Sequence, residues 1–470
     1  MTAREAFASL NRMVGVAPLT VPAFEGDDPI LVTPFRAGEA AASSLGLSAS
    51  AAHEIWRLRG GEQQALSLNL RAAAASLVSF SLLTVDGQTV PRPSEGKPTV
   101  ALHRTLDGRW IHLHGGFPHL EARTLDLLNA ANTQDAVAAG VERWNSFALE
   151  ESLAFMGQCG AVVRTEEEWR VTPQGRALDG VPPIVLKRIG DAPPLRLPQS
   201  ERPLDGIRVL DLTRVLAGPS AGRTLASYGA DVLSVRAPGL PTVELFDLDT
   251  GWGKRSTFLD LRKPGDAEAM RGLVRQAHVF VDSYRPGALA DLGFTPAALA
   301  HAAPGMISVS IFCYGTRGPW TGRRGWEQLA QSATGMAVEQ GAFSAMREGR
   351  RRETIPRLVP AALCDYVTGY LAAAGAAAAL LRRIREGGSW HVEVSLCATA
   401  QWIQSLGKLT FAQVPESWQP RAGLDAYFQS CQTGRGRLDH LGPVVRMEKT
   451  PPAWRTPPPE PGQDAPLWLS

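Results

Sequence analysis

The chain has 470 residues, room for about two or three domains. Hydrophobic residues make up 44% and charged residues 20%, so a substantial core can form, and 48 basic residues against 46 acidic ones leave a net charge of +2. That balance excludes the strongly basic surface that a nucleic acid or an anionic membrane would select, so neither is expected as a partner.

The N-terminus, "MTAREAFASLNRMVG", has no long apolar stretch, and a secretory signal is not expected. The five cysteines (Cys159, Cys313, Cys364, Cys397, Cys431) are scattered, with no CxxC pair and no histidines at zinc spacing. They read as reduced thiols of a cytoplasmic protein, and no metal is expected. Cys364, beside Asp365, has no neighbouring histidine to activate it as a nucleophile.

In chain order, residues 1–100 read as a helix–strand segment and 101–189 as a small α+β domain, with a strand over 108–116. Residues 190–206, "GDAPPLRLPQSERPLDG", are rich in proline and charge and read as a linker. An apolar strand follows at 207–212, then a Gly/Pro turn, a helix of small residues and a second strand at 231–235. This βαβ pattern, with further buried-type strands at 278–284 and 306–312, predicts an open, Rossmann-like parallel sheet over 207–400. The Ala/Leu run at 366–385 predicts a buried core helix. Residues 401–470, rich in proline toward the end, are expected to lie extended.

One helix–turn–strand unit occurs twice. "RLRGGEQQALSLNLRAAA" (57–74) aligns with "RIREGGSWHVEVSLCATA" (383–400) without a gap, and alanine-rich stretches precede both. With only two copies, far apart, this is no solenoid. Between the second alanine run and a stretch of small residues stands Asp365, in "AALCDYVTGY". On local grounds it is the N-cap of the helix, because an aspartate there accepts a hydrogen bond from a first-turn amide.

These segments together resemble the family III CoA-transferases, which include formyl-CoA and carnitine CoA-transferases and the related α-methylacyl-CoA racemases. The resemblance rests on "PLDGIRVLDLTRVLAGPSAGRTLASYGADV" (203–232), "GKRSTFLDLRKPGD" (253–266), "SYRPGALADLGF" (283–294), "YGTRGPW" (314–320), "GWEQLAQSATGM" (325–336) and "ALCDYVTGYLAA" (362–373), in family order. The parts themselves are in a different order. Residues 101–195 resemble the family's small domain yet precede the Rossmann-like half, which implies a permuted fold with the helix–strand unit duplicated at the seam.

The resemblance implies a CoA-transferase with Asp365 as nucleophile, moving CoA from an acyl-CoA to a carboxylic acid through acyl-aspartyl anhydride and aspartyl-CoA intermediates. Glu327 falls where formyl-CoA transferase has an active-site glutamate. CoA contacts are implied for Leu216, Ala217, Arg236, Leu259, Asp260, Arg262, Tyr284 and Arg324. Arg236 stands one place before the usual arginine position, which is Ala237 here. A second family arginine is replaced by Asp291. No glycine-rich closing loop is identified; Gly115-Gly116 is a poor substitute. Glu39, which matches Asp365 in the repeat, reads as structural. No cofactor beyond CoA as substrate is implied. A homodimer with an extensive interface, the chain ends wrapped around the partner, is expected. The alternatives are an acyl-CoA racemase or epimerase, and a catalytically degenerate CoA-binding protein. Racemisation needs two acid/base groups, and the racemases' histidine before the Glu327 position is Trp326 here.

Overall fold

The computed structural model describes residues 1–16, 19–92, 95–349 and 355–469. Its largest sheet has seven strands, in the spatial order Lys254–Phe258, Asp231–Arg236, Arg208–Leu212, Val279–Asp282, Ile307–Phe312, Ser389–Ser395 and Val185–Gly190. All neighbouring pairs are parallel except the last. The strands are apolar because helices cover both faces: Val209, Leu210, Leu233, Val281 and Val309 are all fully buried. The α/β class and the Rossmann-like sheet are therefore as the sequence predicts. The order reverses between Arg208–Leu212 and Val279–Asp282, the place where open α/β sheets bind ligands.

The antiparallel edge strand Val185–Gly190 comes from a segment expected to be small domain and linker, so the large sheet recruits chain from before residue 207. The small unit is a three-stranded antiparallel sheet (Leu102–Arg104, Trp110–Leu113, Gly160–Val162) with helices Pro118–Leu128, Gln134–Val141 and Ser146–Phe155. It has its own apolar cluster around Ile111, Leu113, Leu149 and Val162.

The helix Leu363–Glu386 is apolar and long enough to cross a bilayer, but 94% of its most apolar window is buried inside the fold. It packs against Ala37–Leu58, the helix of the first repeat copy. Alanines on both sides let the two backbones approach closely. Each helix leads into a strand, but the two strands have different partners. Ser389–Ser395 joins the large sheet, whereas Leu66–Asn69 pairs with Ala23–Glu25 and Val445–Met447.

The C-terminal segment is more structured than an extended tail. The helix Leu396–Ser405 runs past residue 400, and Phe428–Thr433 and Gly436–Leu441 form a hairpin across Gly434-Arg435. Beyond Met447 the chain is a strap without regular structure. It is pinned to the sheet domain where the Trp454 indole donates to the Arg223 carbonyl (3.0 Å) and that of Trp468 to the Leu273 carbonyl (3.1 Å).

Candidate active site

At the switch point, a cavity of about 390 Å³ opens beyond the carboxyl ends of the strands. The turn after Arg208–Leu212 forms one side, with Arg214, Leu216 and Ala217, and Ser283–Arg285 forms another. Val215 in that turn has φ +73, a conformation that costs a β-branched residue energy and persists where the surroundings impose it, often at functional sites. The floor holds the two acids, Glu327 and Asp365.

Asp365 is not the N-cap. Helix Leu363–Glu386 begins two residues earlier, at an N-cap of Ala362 that makes no side-chain bond, and Asp365 is its third residue. A distant residue supplies the cap instead. Glu327 Oε1 accepts from the Cys364 amide (2.8 Å) and from Gln331 Nε2 (2.9 Å), and Gln331 Oε1 in turn accepts from the Val359 amide (2.9 Å). Glu327 thus joins its own helix, Glu327–Thr334, to the start of the Asp365 helix, and the Asp365 side chain is left free to face the cavity.

Both carboxyls are pushed up. Burial raises Asp365 to about 7. Its first-turn position favours the carboxylate by no more than about 1 kcal/mol, so burial prevails. Burial also raises Glu327 well above its ordinary value, and the neighbouring Asp365 charge adds to the effect. Two such acids resist ionising together, so the pair gives up its protons in two steps. Cys364 is not a rival nucleophile. Its thiol is buried against Met336 Sδ (3.8 Å), and burial pushes its pKa far up.

The structure brings Asp365, Glu327, Leu216, Ala217, Tyr284 and Arg324 to this one cavity. It does not bring Leu259, Asp260, Arg262 or Arg236 there. Leu259 packs in the core with Leu210 and Val235. Asp260 pairs with the exposed Arg262 (2.8 Å), and Arg236 with Asp247 (2.7 Å). The cations at the cavity are Arg214, Arg285 and Arg324. Among the described residues none of the three has a carboxylate partner: Arg214 donates to the Pro241 carbonyl, and Arg324 lies 3.4 Å from His119 Nε2. Partial burial, then Arg324, Arg123 and Arg214, lower the His119 imidazole. Arg214 and Arg285 stand at strand ends beside the switch point, a positional signal that sequence reading missed. Phe117, His119 and Leu120 come from the small unit, and nothing local marks them as neighbours of Asp365.

A larger cavity, about 1050 Å³, lies at the opposite ends of the strands, between Arg208, Asp231, Arg255 and the C-terminal strap. Two of its arginines are paired with carboxylates, Arg255–Asp231 (2.9 Å) and Arg435–Glu460, while Arg202 and Arg208 donate to backbone carbonyls.

Residues 204–426 match the profile of CoA-transferase family III. Among curated proteins, the chain is 30% identical over 329 residues to an acetyl-coenzyme A transferase (nodX) of Hypoxylon pulicicidum, covering 65% of this chain and 54% of that protein. It is 29% identical to an acyl-CoA transferase of Gibberella moniliformis, covering 80% of this chain and 72% of the relative. It is 32% identical to formyl-CoA:oxalate CoA-transferases of Escherichia coli, covering 41% of this chain and 47% of those proteins. The chain thus spans about half the length of the first of these relatives. A solved CaiB/BaiF family protein from Brucella suis is 26% identical over 51% of this chain and 65% of that one, with a TM-score of 0.38. The stretch similar to CoA-transferase family III, residues 204–426, is the one that holds the switch-point turns, Glu327 and Asp365.

Proposed function

We propose that this protein is a CoA-transferase that moves CoA from an acyl-CoA to a carboxylic acid, with Asp365 as nucleophile. The observation that carries the reading is the meeting of Asp365 and Glu327 at a switch-point cavity with unpaired arginines around it. The arginines suit the phosphates of CoA. The ionised Asp365 oxygen attacks the thioester carbonyl, the C–S bond breaks, and an acyl-aspartyl anhydride and CoA thiolate result. The thiolate attacks the aspartyl carbonyl and releases the acyl group as a carboxylate. The acceptor carboxylate then attacks the aspartyl-CoA thioester and expels the thiolate, which gives a second anhydride. The thiolate attacks the acceptor carbonyl of that anhydride, the C–O bond to Asp365 breaks, and the new acyl-CoA and the free Asp365 carboxylate result. Protonated Glu327 is placed to donate to oxygens that gain charge in these steps. No cofactor beyond CoA enters this scheme.

Hydroxylamine added during turnover should convert Asp365 to a hydroxamate, seen by mass spectrometry of the peptide. Turnover without any adduct would overturn the covalent route. The pH profile adds a second check. The rate should rise through about pH 7 as Asp365 ionises. On this reading Glu327 acts as the protonated acid, so Glu327→Gln should lower kcat but leave the limb near 7. A limb that moves to about 5 would mean that Glu327 is charged at neutral pH.

We further propose that the chain is a permuted version of the family fold and forms a homodimer. The small unit preceding the sheet domain supports the permutation. Light scattering at micromolar concentration tests the dimer, and a monomer there would refute it.

A further inference from the structure

The wall of the cavity beside Glu327 is aromatic and rigid. The Trp326 ring stacks on His114, with centroids 4.3 Å apart and planes at 19°, and meets Phe117 edge-on at 5.2 Å. Several features fix it in place. Trp326 is the extended N-cap residue of Glu327–Thr334, and its carbonyl lies 3.8 Å from Cys313 Sγ. A Cβ on Gly325 would come within 2.2 Å of that sulfur, so only glycine lets the chain lie against Cys313 there. A Cβ on Gly116 would come within 2.8 Å of the His114 ring, so Gly116 leaves room for the imidazole to lie under the indole. Burial holds His114 down at about 4, so it stacks as a neutral ring at physiological pH. Ile311, Phe312 and Leu396 extend the apolar lining.

Charge is segregated within the same cavity. Arg324 lies beside His119, and Arg214 lies over the Phe117 ring at 5.0 Å. The surface that Trp326, Ile311, Phe312 and Leu396 give the cavity is aromatic and aliphatic.

Building on the transferase reading, we propose that Trp326 and Phe117 form the acyl-binding wall, and that the preferred acyl group is an apolar monocarboxylic one of aromatic-ring size. A dicarboxylic acyl group would set its second carboxylate against the apolar face of Trp326, which is costly to desolvate. A ring stacks on Trp326 and gains the burial of a full apolar side chain.

The test uses phenylacetyl-CoA, succinyl-CoA and acetyl-CoA as donors with the full chain. Wild-type kcat/KM should favour phenylacetyl-CoA over succinyl-CoA by about tenfold or more. Trp326→Ala should lower the phenylacetyl-to-acetyl ratio about tenfold, and Trp326→Phe should restore most of it. A preference for succinyl-CoA, or an unchanged ratio in Trp326→Ala, overturns the inference. Calorimetric binding of the same donors separates this proposal from the one beneath it. If nothing turns over but phenylacetyl-CoA still binds about tenfold tighter than succinyl-CoA, and only with Trp326 present, the wall stands and the transferase reading falls. Equal binding of the two sinks the wall.

Discussion

Asp365→Asn should abolish turnover and at the same time make the protein more stable at alkaline pH. The amide is nearly the same size, and the helix does not use this side chain as its cap, since Glu327 meets the Cys364 amide. The fold should therefore persist while the proposed nucleophile is lost, with kcat falling by about 10³-fold or more. The sign of the stability change follows from the raised carboxyl. In the folded state Asp365 titrates near 7 rather than at 3.8, so the folded protein prefers the neutral acid. The stability this group contributes is fully present below pH 3.8 and is lost as pH rises toward 7. The amide is never charged. The variant should therefore match the wild type near pH 4, gain on it through pH 5 and 6, and level off above 7 at an advantage on the order of 4 kcal/mol. Denaturant midpoints at pH 5, 6, 7 and 8 give the comparison. Parallel curves across that range would mean that Asp365 ionises in the folded protein as easily as in the unfolded chain. An active Asp365→Asn variant would remove Asp365 from the chemistry altogether.

The parts of this site that are legible in the sequence are those fixed by local pattern. The strand runs and the Gly/Pro turn after Leu212 announce a parallel sheet with its switch point, because strands buried on both faces must be continuously apolar. Asp365 and Glu327 stand in motifs that place them on the ends of two helices. How they meet is not legible. The helix start at Leu363 is set by a carboxylate 37 residues away in sequence, so the local preference for aspartate at an N-cap gives way to a tertiary cap. The same holds for His114 and Phe117. Their contact with Trp326 joins two units of the fold, and no periodicity reports such a distance. Arg236 shows the converse. Its position in the sequence suggests a free cation, but helix Glu244–Thr250 brings Asp247 within 2.7 Å of it.

The turn that carries Leu216 and Ala217 depends on a buried charge pair, and breaking that pair should have the largest effect on stability. Asp211, one residue before the end of its strand, is fully enclosed. Its Oδ2 meets Lys254 Nζ at 2.7 Å, and its Oδ1 accepts from the amide and hydroxyl of Thr213. Lys254 also donates to the Pro219 carbonyl at 2.7 Å, in the first turn of the following helix, Ala217–Ser227. One lysine thus ties the strand end, the turn and the helix start together. Burial lowers the Lys254 pKa despite the attraction of Asp211, so desolvation outweighs the pairing. Lys254→Met should then cost about 3–5 kcal/mol, most of it because Asp211 is left buried without a counter-charge. The double variant Asp211→Leu/Lys254→Met should recover much of that loss, since no bare charge remains. It should not recover the KM for acyl-CoA, because Thr213 no longer has the carboxylate that fixes the turn. Denaturation and KM measured on the single and double variants separate the two roles. A double variant as unstable as the single would show that the pair acts through packing, and one with wild-type KM would show that the turn holds its shape without Asp211.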